Sequence, residues 1–215
     1  MYVPPQFREE RPEVLVAAMR RIRLMMLVTA ADGSYHATHV PAVVAMEAGR
    51  IVVTSHLARA NPHWRAAAAG APSLAVFQGP HAYVSPSYYP SKAAHGKVVP
   101  TWNYIVVHVH GTLEAVDDTA FIRAQVAALT NEIEAGRGAP WRVEDAPAGY
   151  IDGLVRAIVG VRLAAERVEG SWKLIQHKPE ADRLGTIAGL RRDGSDDAKA
   201  IADAMAGAEG ARRRA

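Results

Sequence analysis

The feature that most restricts what this chain can fold into is a series of tight turns set between short apolar runs. Asp32 and Gly33 separate "LMMLVTA" (24–30) from "YHATHVPAVVA" (35–45). Both central residues of a type I′ turn need positive φ, which Gly adopts freely and Asp tolerates, so this pair predicts a β-hairpin. "EAG" (47–49) turns the chain again into a third strand, 50–55. Pro41 cannot donate to a ladder, so the second strand is expected to lie at an edge, kinked or bulged there. Further strands are expected over 73–79 and 81–86, a long one over 101–116, and a final hairpin over 157–170 and 171–176. Helical spacing of apolar residues predicts helices over 11–23, from Asn61 and Pro62 to about Gly70, from Asp117 or Asp118 to about Ala135, over 147–156, and over 179–191 and 195–206. Hairpins in succession with helices between them predict a mainly β fold, an antiparallel barrel with flanking helices. The strand–helix alternation of a parallel Rossmann sheet is absent, as are a glycine-rich phosphate loop and an internal repeat.

A chain of 215 residues suits one domain with a sizeable core. The expected domain covers 1–206 and includes the helical segment 179–206. A basic, flexible tail over 207–215 carries Arg212, Arg213 and Arg214. The formal charge of +3 is far from the basic excess that a nucleic-acid binder usually shows and suits a near-neutral globule with a basic tail. The helix pair in 179–206 is the one helix-turn-helix candidate, and its joining residues "RRDGSDD" are too acidic for a DNA-facing turn. Direct DNA binding is therefore left open without support. The lack of cysteine excludes disulfides, thiolate catalysis and Cys-based zinc sites. No apolar run approaches the ~18 residues of a membrane span. "MYVPPQFREE" lacks the basic-then-apolar order of a signal peptide, so the expected compartment is the cytoplasm.

Three stretches concentrate chemistry. In "SHLARANPHW" (55–64) a strand hands over to a helix through a hydroxyl, an imidazole, a guanidinium and a carboxamide. Ser55, Arg59 and a helix N-terminus suit a phosphomonoester, since Arg supplies paired charge-assisted bonds. The same residues also suit simple capping by Asn61 with Arg59 in a surface ion pair. In "HATHVP" (36–41), Thr38 and His39 interrupt an apolar strand, and groups at 38–40 suit the polar edge of a flat heterocycle or a half-exposed rim. In "PTWNY" (100–104), Trp102, Asn103 and Tyr104 offer a flat apolar face beside an amide, suited to a ring with an imide edge or to a core Trp with a turn Asn. The loop "YVSPSYYPSK" (83–92) is rich in Tyr, as site-covering loops often are. His108 and His110 share a strand face, but no carboxylate shares their spacing, and no metal site is expected. A Gly-x-Ser-x-Gly elbow is absent, and no catalytic acid or base is identified.

"YVPPQF", "THVPAVV", "SHLARANPHW", "AYVSPSYYPSK", "VPTWNY…VHVHGTLE" and "WKLIQHKPEADRLGTIAGL", in this order, resemble the PaiB family. Its members are described as FMN-binding negative transcriptional regulators. The resemblance spans roughly residues 1–205 and implies the FMN-binding split barrel of pyridoxamine-phosphate oxidases and flavin reductases, in which homodimers hold flavin at the interface. By this resemblance Thr38, His39 and Val40 line the isoalloxazine edge and ribityl chain. Thr54, Ser55, His56, Arg59, Ala60 and Asn61 form the phosphate corner, and Trp102, Asn103 and Tyr104 come across the dimer interface. Ile175 and His177 depart from the family's usual "KLSQNK" before Lys178. The implied function is an FMN-binding regulator or flavin-linked sensor; the alternative is an FMN-dependent oxidoreductase of unknown substrate.

Overall fold

The computed structural model describes residues 1–212. In chain order the elements are β1 (Arg8–Glu9), α1 (Pro12–Ile22), β2 (Leu24–Ala31), β3 (Ser34–Pro41), β4 (Val43–Glu47), β5 (Arg50–Ala58), α2 (His63–Ala68) and β6 (Pro72–Val84). They continue with α3 (Ser91–His95), β7 (Thr101–Val116), α4 (Thr119–Glu134), α5 (Ala148–Arg156), β8 (Ile158–Ala164), β9 (Arg167–Lys173), α6 (Glu180–Asp193) and α7 (Asp196–Arg212). These residues group into two compact units. The larger holds Arg11–Phe77 and Val107–Val168; the smaller holds Met1–Glu10, Gln78–Val106 and the chain from Glu169.

In the larger unit the two expected turns form as the sequence predicts. Leu24 pairs with Pro41 and Ala31 with Ser34, leaving Asp32 (φ 52°) and Gly33 (φ 70°) as the two-residue turn. Glu47 pairs with Arg50 across Ala48 (φ 46°) and Gly49 (φ 79°). Pro41 ends β3, so the expected single strand 35–45 is two strands divided at Ala42, whose N–H is donated to the Arg23 carbonyl. That break has a large consequence. The strand order is β3-β2-β6-β7-β8-β5-β4, which puts β3 and β4 at its opposite ends. One residue joins them, so the antiparallel sheet must curl round until its ends meet, without a ladder closing it. This is the expected mainly β split barrel with flanking helices.

The sheet's interior follows the period of two. Met25 and Leu27 on β2, Val53 and Leu57 on β5, Val107 and Val109 on β7, and Val159, Val161 and Leu163 on β8 are all buried. Burial of each such side chain contributes about 1.5–3 kcal/mol. α4 and α5 cover one side through Ile122, Ile151 and Val155 with Val143. A Cβ on Gly160 would lie 2.7 Å from the Phe121 ring, so a glycine there is what lets α4 sit against β8.

Two strand expectations need correction. The pair 73–79 and 81–86 is one continuous strand, β6, because the chain stays extended through Gly79 and Pro80. The final hairpin is not one: β8 pairs with β5 and β7, whereas β9 pairs with β1 and β7. The turn falls at Ala165 and Glu166, and Gly170 is a buried strand residue.

In the smaller unit, β6 and β7 contribute Ala82, Val84 and Ile105 to a core completed by Tyr89, Leu174, Ile175 and the inner faces of α6 and α7. α6 and α7 form an αα-hairpin around Gly194 (φ 78°), clasped by Arg183 on Glu209, with both side chains largely buried. α7 buries Ala198, Ile201, Ala202 and Met205, so the helix-turn-helix candidate is a core-packing hairpin. α7 continues to Arg212, past Gly207 where the flexible tail was expected to begin; the tail residues 213–215 lie outside the described residues. The Tyr-rich loop is tied down rather than free. Ser91 donates from its N–H and its hydroxyl to Asp182, Tyr88 Oη donates to Asp193, and the ring of Tyr88 lies where a Cβ on Gly189 would be. Burial, then the bond to Asp193, pushes the Tyr88 phenol up to about 12. Among the described residues no helix is long and apolar enough to cross a membrane.

Candidate functional site

Nine of the expected site residues lie in the larger unit, on β3 and along the stretch from the end of β5 to α2. Direct contacts join Thr38 to Asn61 and Ser55 to Pro41 of β3, whereas His56 turns to Gln125 of α4 and Arg59 to Asp117. β3 alternates, so Thr38 and His36 share one face, half-buried, while His39 is exposed on the other; Val40 is buried. Asn61 Oδ1 accepts from the His63 N–H at 3.0 Å, and that bond orients its amide. Asn61 Nδ2 then donates to Thr38 Oγ1 at 3.2 Å. Thr38 Oγ1 lies 2.8 Å from His63 Nδ1, and His63 Nε2 lies 2.8 Å from Thr29 Oγ1. Thr29 Oγ1 continues to Ser73 Oγ at 2.7 Å, and Ser73 donates to the Ala71 carbonyl at 3.1 Å. The His63 ring is 1% exposed and stacks on His36 at 5.6 Å between centroids. Burial, then the charge of His36, holds the His63 imidazole below its ordinary range.

The rest of the corner is likewise engaged. Ser55 Oγ, fully buried, donates to the Pro41 carbonyl at 2.6 Å. His56 Nδ1 lies 2.8 Å from Gln125 Oε1, Thr54 is half-buried and Ala60 is exposed. Arg59 makes a paired bridge to Asp117, Nη2 to Oδ1 at 2.6 Å and Nη1 to Oδ2 at 2.9 Å. Its Nε donates to the Arg156 carbonyl and its Nη2 to that of Ile158. Four bonds thus engage a guanidinium that has five N–H groups. Asp117 holds the Arg59 guanidinium above its ordinary range, and Arg59 holds the Asp117 carboxyl below its own. α2 has only six residues and its first N–H is capped by Asn61, so its dipole adds little here. Arg65, one turn along, is exposed, lies over the Trp64 ring at 5.3 Å and has no ion pair among the described residues.

The three remaining expected residues lie in the smaller unit, on β7. The same alternation divides them. Trp102 is half-exposed, and Tyr104 carries Lys173 Nζ over its ring at 5.6 Å. Asn103 faces inward, fully buried, with Nδ2 on Met205 Sδ at 3.5 Å and no partner for Oδ1 among the described residues. Trp102 lines an open groove of about 650 Å³ with His81 and Tyr83, faced by Asp193, Asp196 and Asp197.

Comparison with known proteins places the chain. Residues 1–167 match the family model described as "Putative FMN-binding domain". The chain belongs to this FMN-binding family. Across 205 residues it is 28% identical to the protease synthase and sporulation protein PAI 2 of Bacillus subtilis, covering 95% of this chain and 96% of that protein. It is 36% identical over 141 residues to the uncharacterized protein AN0679 of Emericella nidulans, covering 60% of this chain and 56% of that one. Among solved structures it is similar in fold to the FAD and heme binding protein from Mycobacterium smegmatis, with a TM-score of 0.58 at 19% identity over 85% of this chain and 80% of that one. The conserved hypothetical protein Rv2991 from Mycobacterium tuberculosis gives 0.57 at 14% identity, over 84% and 95%. The family and fold expected from the motifs, and FMN as the family's cofactor, are thus borne out.

Within this FMN-binding family member, sequence reasoning overlooked His63, Thr29, Ser73 and Asp117 as members of the corner. A signal existed for two of them. Thr29 and Ser73 are hydroxyls on buried strand positions, and buried hydroxyls require partners.

Proposed function

We propose that this protein binds FMN as a homodimer of the PaiB type and acts as a regulator or flavin-linked sensor. The match of residues 1–167 to the FMN-binding family carries the reading. The donor set suits the cofactor. Thr38 keeps acceptor capacity for a ring N–H, and Arg59 and Arg65 are cations on an accessible rim for a phosphate. Thr38, His39 and Val40 would hold the ring and ribityl side. Thr54, Ser55, His56, Arg59, Ala60 and Asn61 would hold the phosphate side. The outward pair Trp102 and Tyr104 would be the face offered to a second copy, with Asn103 beneath them.

FMN supplies redox capacity when bound; the protein binds it, orients it and excludes water. The regulatory part draws on the Bacillus subtilis relative, whose name links it to protease synthesis and sporulation. The packed α6–α7 hairpin gives no DNA reader, so regulation through a partner or ligand is favoured over direct DNA contact. The oxidoreductase alternative has less support, since its fold neighbours share under 25% identity and a fold does not carry an activity. The absence of cysteine fits a cytoplasmic setting.

FMN titration of the purified protein, followed by its visible spectrum with mass measured in solution, tests the proposal. Saturable uptake at one flavin per chain in a dimer is expected. A flavin that stays free, or a monomer that binds it fully, would overturn the respective part.

A further inference from the structure

The chain of hydroxyls through His63 has a direction, and its two ends fix it. At one end the His63 main-chain N–H can only donate, so Asn61 must present Oδ1 to it and Nδ2 to Thr38. At the other end the Ala71 carbonyl can only accept, so Ser73 gives its hydroxyl hydrogen there. Ser73 Oγ then accepts from Thr29, and Thr29 accepts from His63 Nε2–H. That leaves His63 Nδ1 bare, and Thr38 donates to it. Every hydroxyl gives one hydrogen in one direction, an arrangement whose bonds polarise one another favourably. The reverse tautomer would make Thr29 donate to His63 Nε2, leaving no hydrogen between Thr29 and Ser73, and would make Thr38 accept from Nδ1–H, leaving the Thr38 hydrogen uncommitted.

The consequence falls on Thr38. Its hydrogen is committed to His63, and one of its two lone pairs is taken by Asn61. What remains on this half-buried side chain is one acceptor. We infer that His63 is a positioning residue that holds the Thr38 hydroxyl as an acceptor-only group, so that Thr38 selects a ligand edge bearing an N–H donor, the imide edge of a flavin. This rests on the FMN reading and adds to it a residue that acts on the ligand through Thr38. A ligand presenting only carbonyl oxygens to Thr38 would find no hydrogen to accept.

Two measurements test it. Long-range ¹H–¹⁵N spectra of histidine-labelled wild-type protein, with His63 assigned by its loss in His63→Gln, report the tautomer directly. Protonated Nε2 and bare Nδ1 are expected; a protonated Nδ1 in protein that binds FMN overturns the positioning role while leaving FMN binding intact. Separately, FMN and N3-methyl-FMN are titrated by flavin fluorescence. The methylated flavin, its imide donor blocked, is expected to bind about tenfold more weakly, the worth of one hydrogen bond. Thr38→Val should erase that gap. His63→Gln keeps one donor and one acceptor and should preserve it. His63→Leu frees the Thr38 hydrogen and should shrink it. A purely structural His63 would weaken both flavins equally, so a gap unchanged in His63→Leu overturns the inference. If His63→Leu does not fold, a gap lost in His63→Gln or kept in Thr38→Val does the same. Wild-type protein that takes up neither flavin overturns the FMN reading, and the imide selection with it.

Discussion

The corner around His63 and the strand segment around Trp102 handle polarity in opposite ways. At the corner, polar side chains from β2, β3, β6 and α2 meet and bond one another in sequence, anchored on main-chain groups. On β7, an amide is fully buried with its carbonyl oxygen unmatched among the described residues, while the aromatic residues on either side point outward. A completed network is rigid and costly to break, whereas an orphaned acceptor is a stability cost that removal can relieve. The two regions should therefore respond to mutation with opposite signs.

The largest effect is expected at His63. Replacing it with Ala leaves the Thr38 and Thr29 hydroxyls without their shared partner and opens a cavity. Destabilisation of about 3–5 kcal/mol is expected in urea unfolding. Acid should attack the same point. Because the folded imidazole lies below its ordinary range, the unfolded chain binds more protons between the folded value and 6.5. Stability therefore rises with pH through that window and is lost as pH falls through it. The titratable neighbour stacked on the ring is His36, whose charge adds to the cost of charging His63. His63→Gln should abolish this acid-sensitive component; a wild-type curve flat from pH 7 to 5 would contradict the assignment.

A smaller effect of opposite sign is expected at Asn103. Leu has the same side-chain branching and heavy-atom count as Asn and buries no unmatched oxygen, so Asn103→Leu should stabilise the protein by about 1 kcal/mol wherever the core yields to its larger methyl groups. The same variant sharpens the functional question. An Asn103 that contacts flavin would lose FMN affinity together with that gain, while an Asn103 that only packs on Met205 would leave affinity unchanged.

What the sequence revealed divides along the same line. The hairpins were legible because their cause is local: Asp32-Gly33 and Ala48-Gly49 each adopt the two positive φ angles that a two-residue turn requires. β6 was misread because Gly79-Pro80 has the composition of a turn, while its extended conformation is imposed by neighbouring strands. The β8–β9 break was misplaced for the same reason, since Ala165 and Glu166 carry no turn signal and bond instead to Ile51 and His110. Asn61 and Thr38 were legible as site residues because polar groups in an apolar strand and at a helix start are conspicuous. His63 was not, because its role depends on Thr29, 34 residues away, and on the Ser73 hydroxyl beyond it. The Arg59 bridge was open between two readings; its carboxylate, Asp117, was visible only as a helix cap, a role that Asp118 fills by accepting from the Phe121 N–H at 2.7 Å.

The Arg59–Asp117 pair supplies the smallest expected change in stability and the sharpest test of which cation takes a phosphate. Both side chains are well exposed, at 39% and 58%, so water and salt screen the bridge and its removal should barely move the unfolding midpoint. Its effect on FMN affinity should be larger and its sign informative. A carboxylate already paired with Arg59 competes with an incoming phosphate and repels it. If Arg59 is the phosphate ligand, Asp117→Asn should tighten FMN binding several-fold at low salt, and Arg59→Ala should weaken it about tenfold or more. If the phosphate instead goes to Arg65, which has no ion pair among the described residues, then Arg65→Ala carries the loss, and Asp117→Asn changes affinity little because its charge is not on the binding cation. Riboflavin, which lacks the phosphate, separates both outcomes from a general disturbance: its affinity should be indifferent to all three substitutions. A variant that weakens riboflavin as much as FMN has damaged the corner itself rather than removed a phosphate contact.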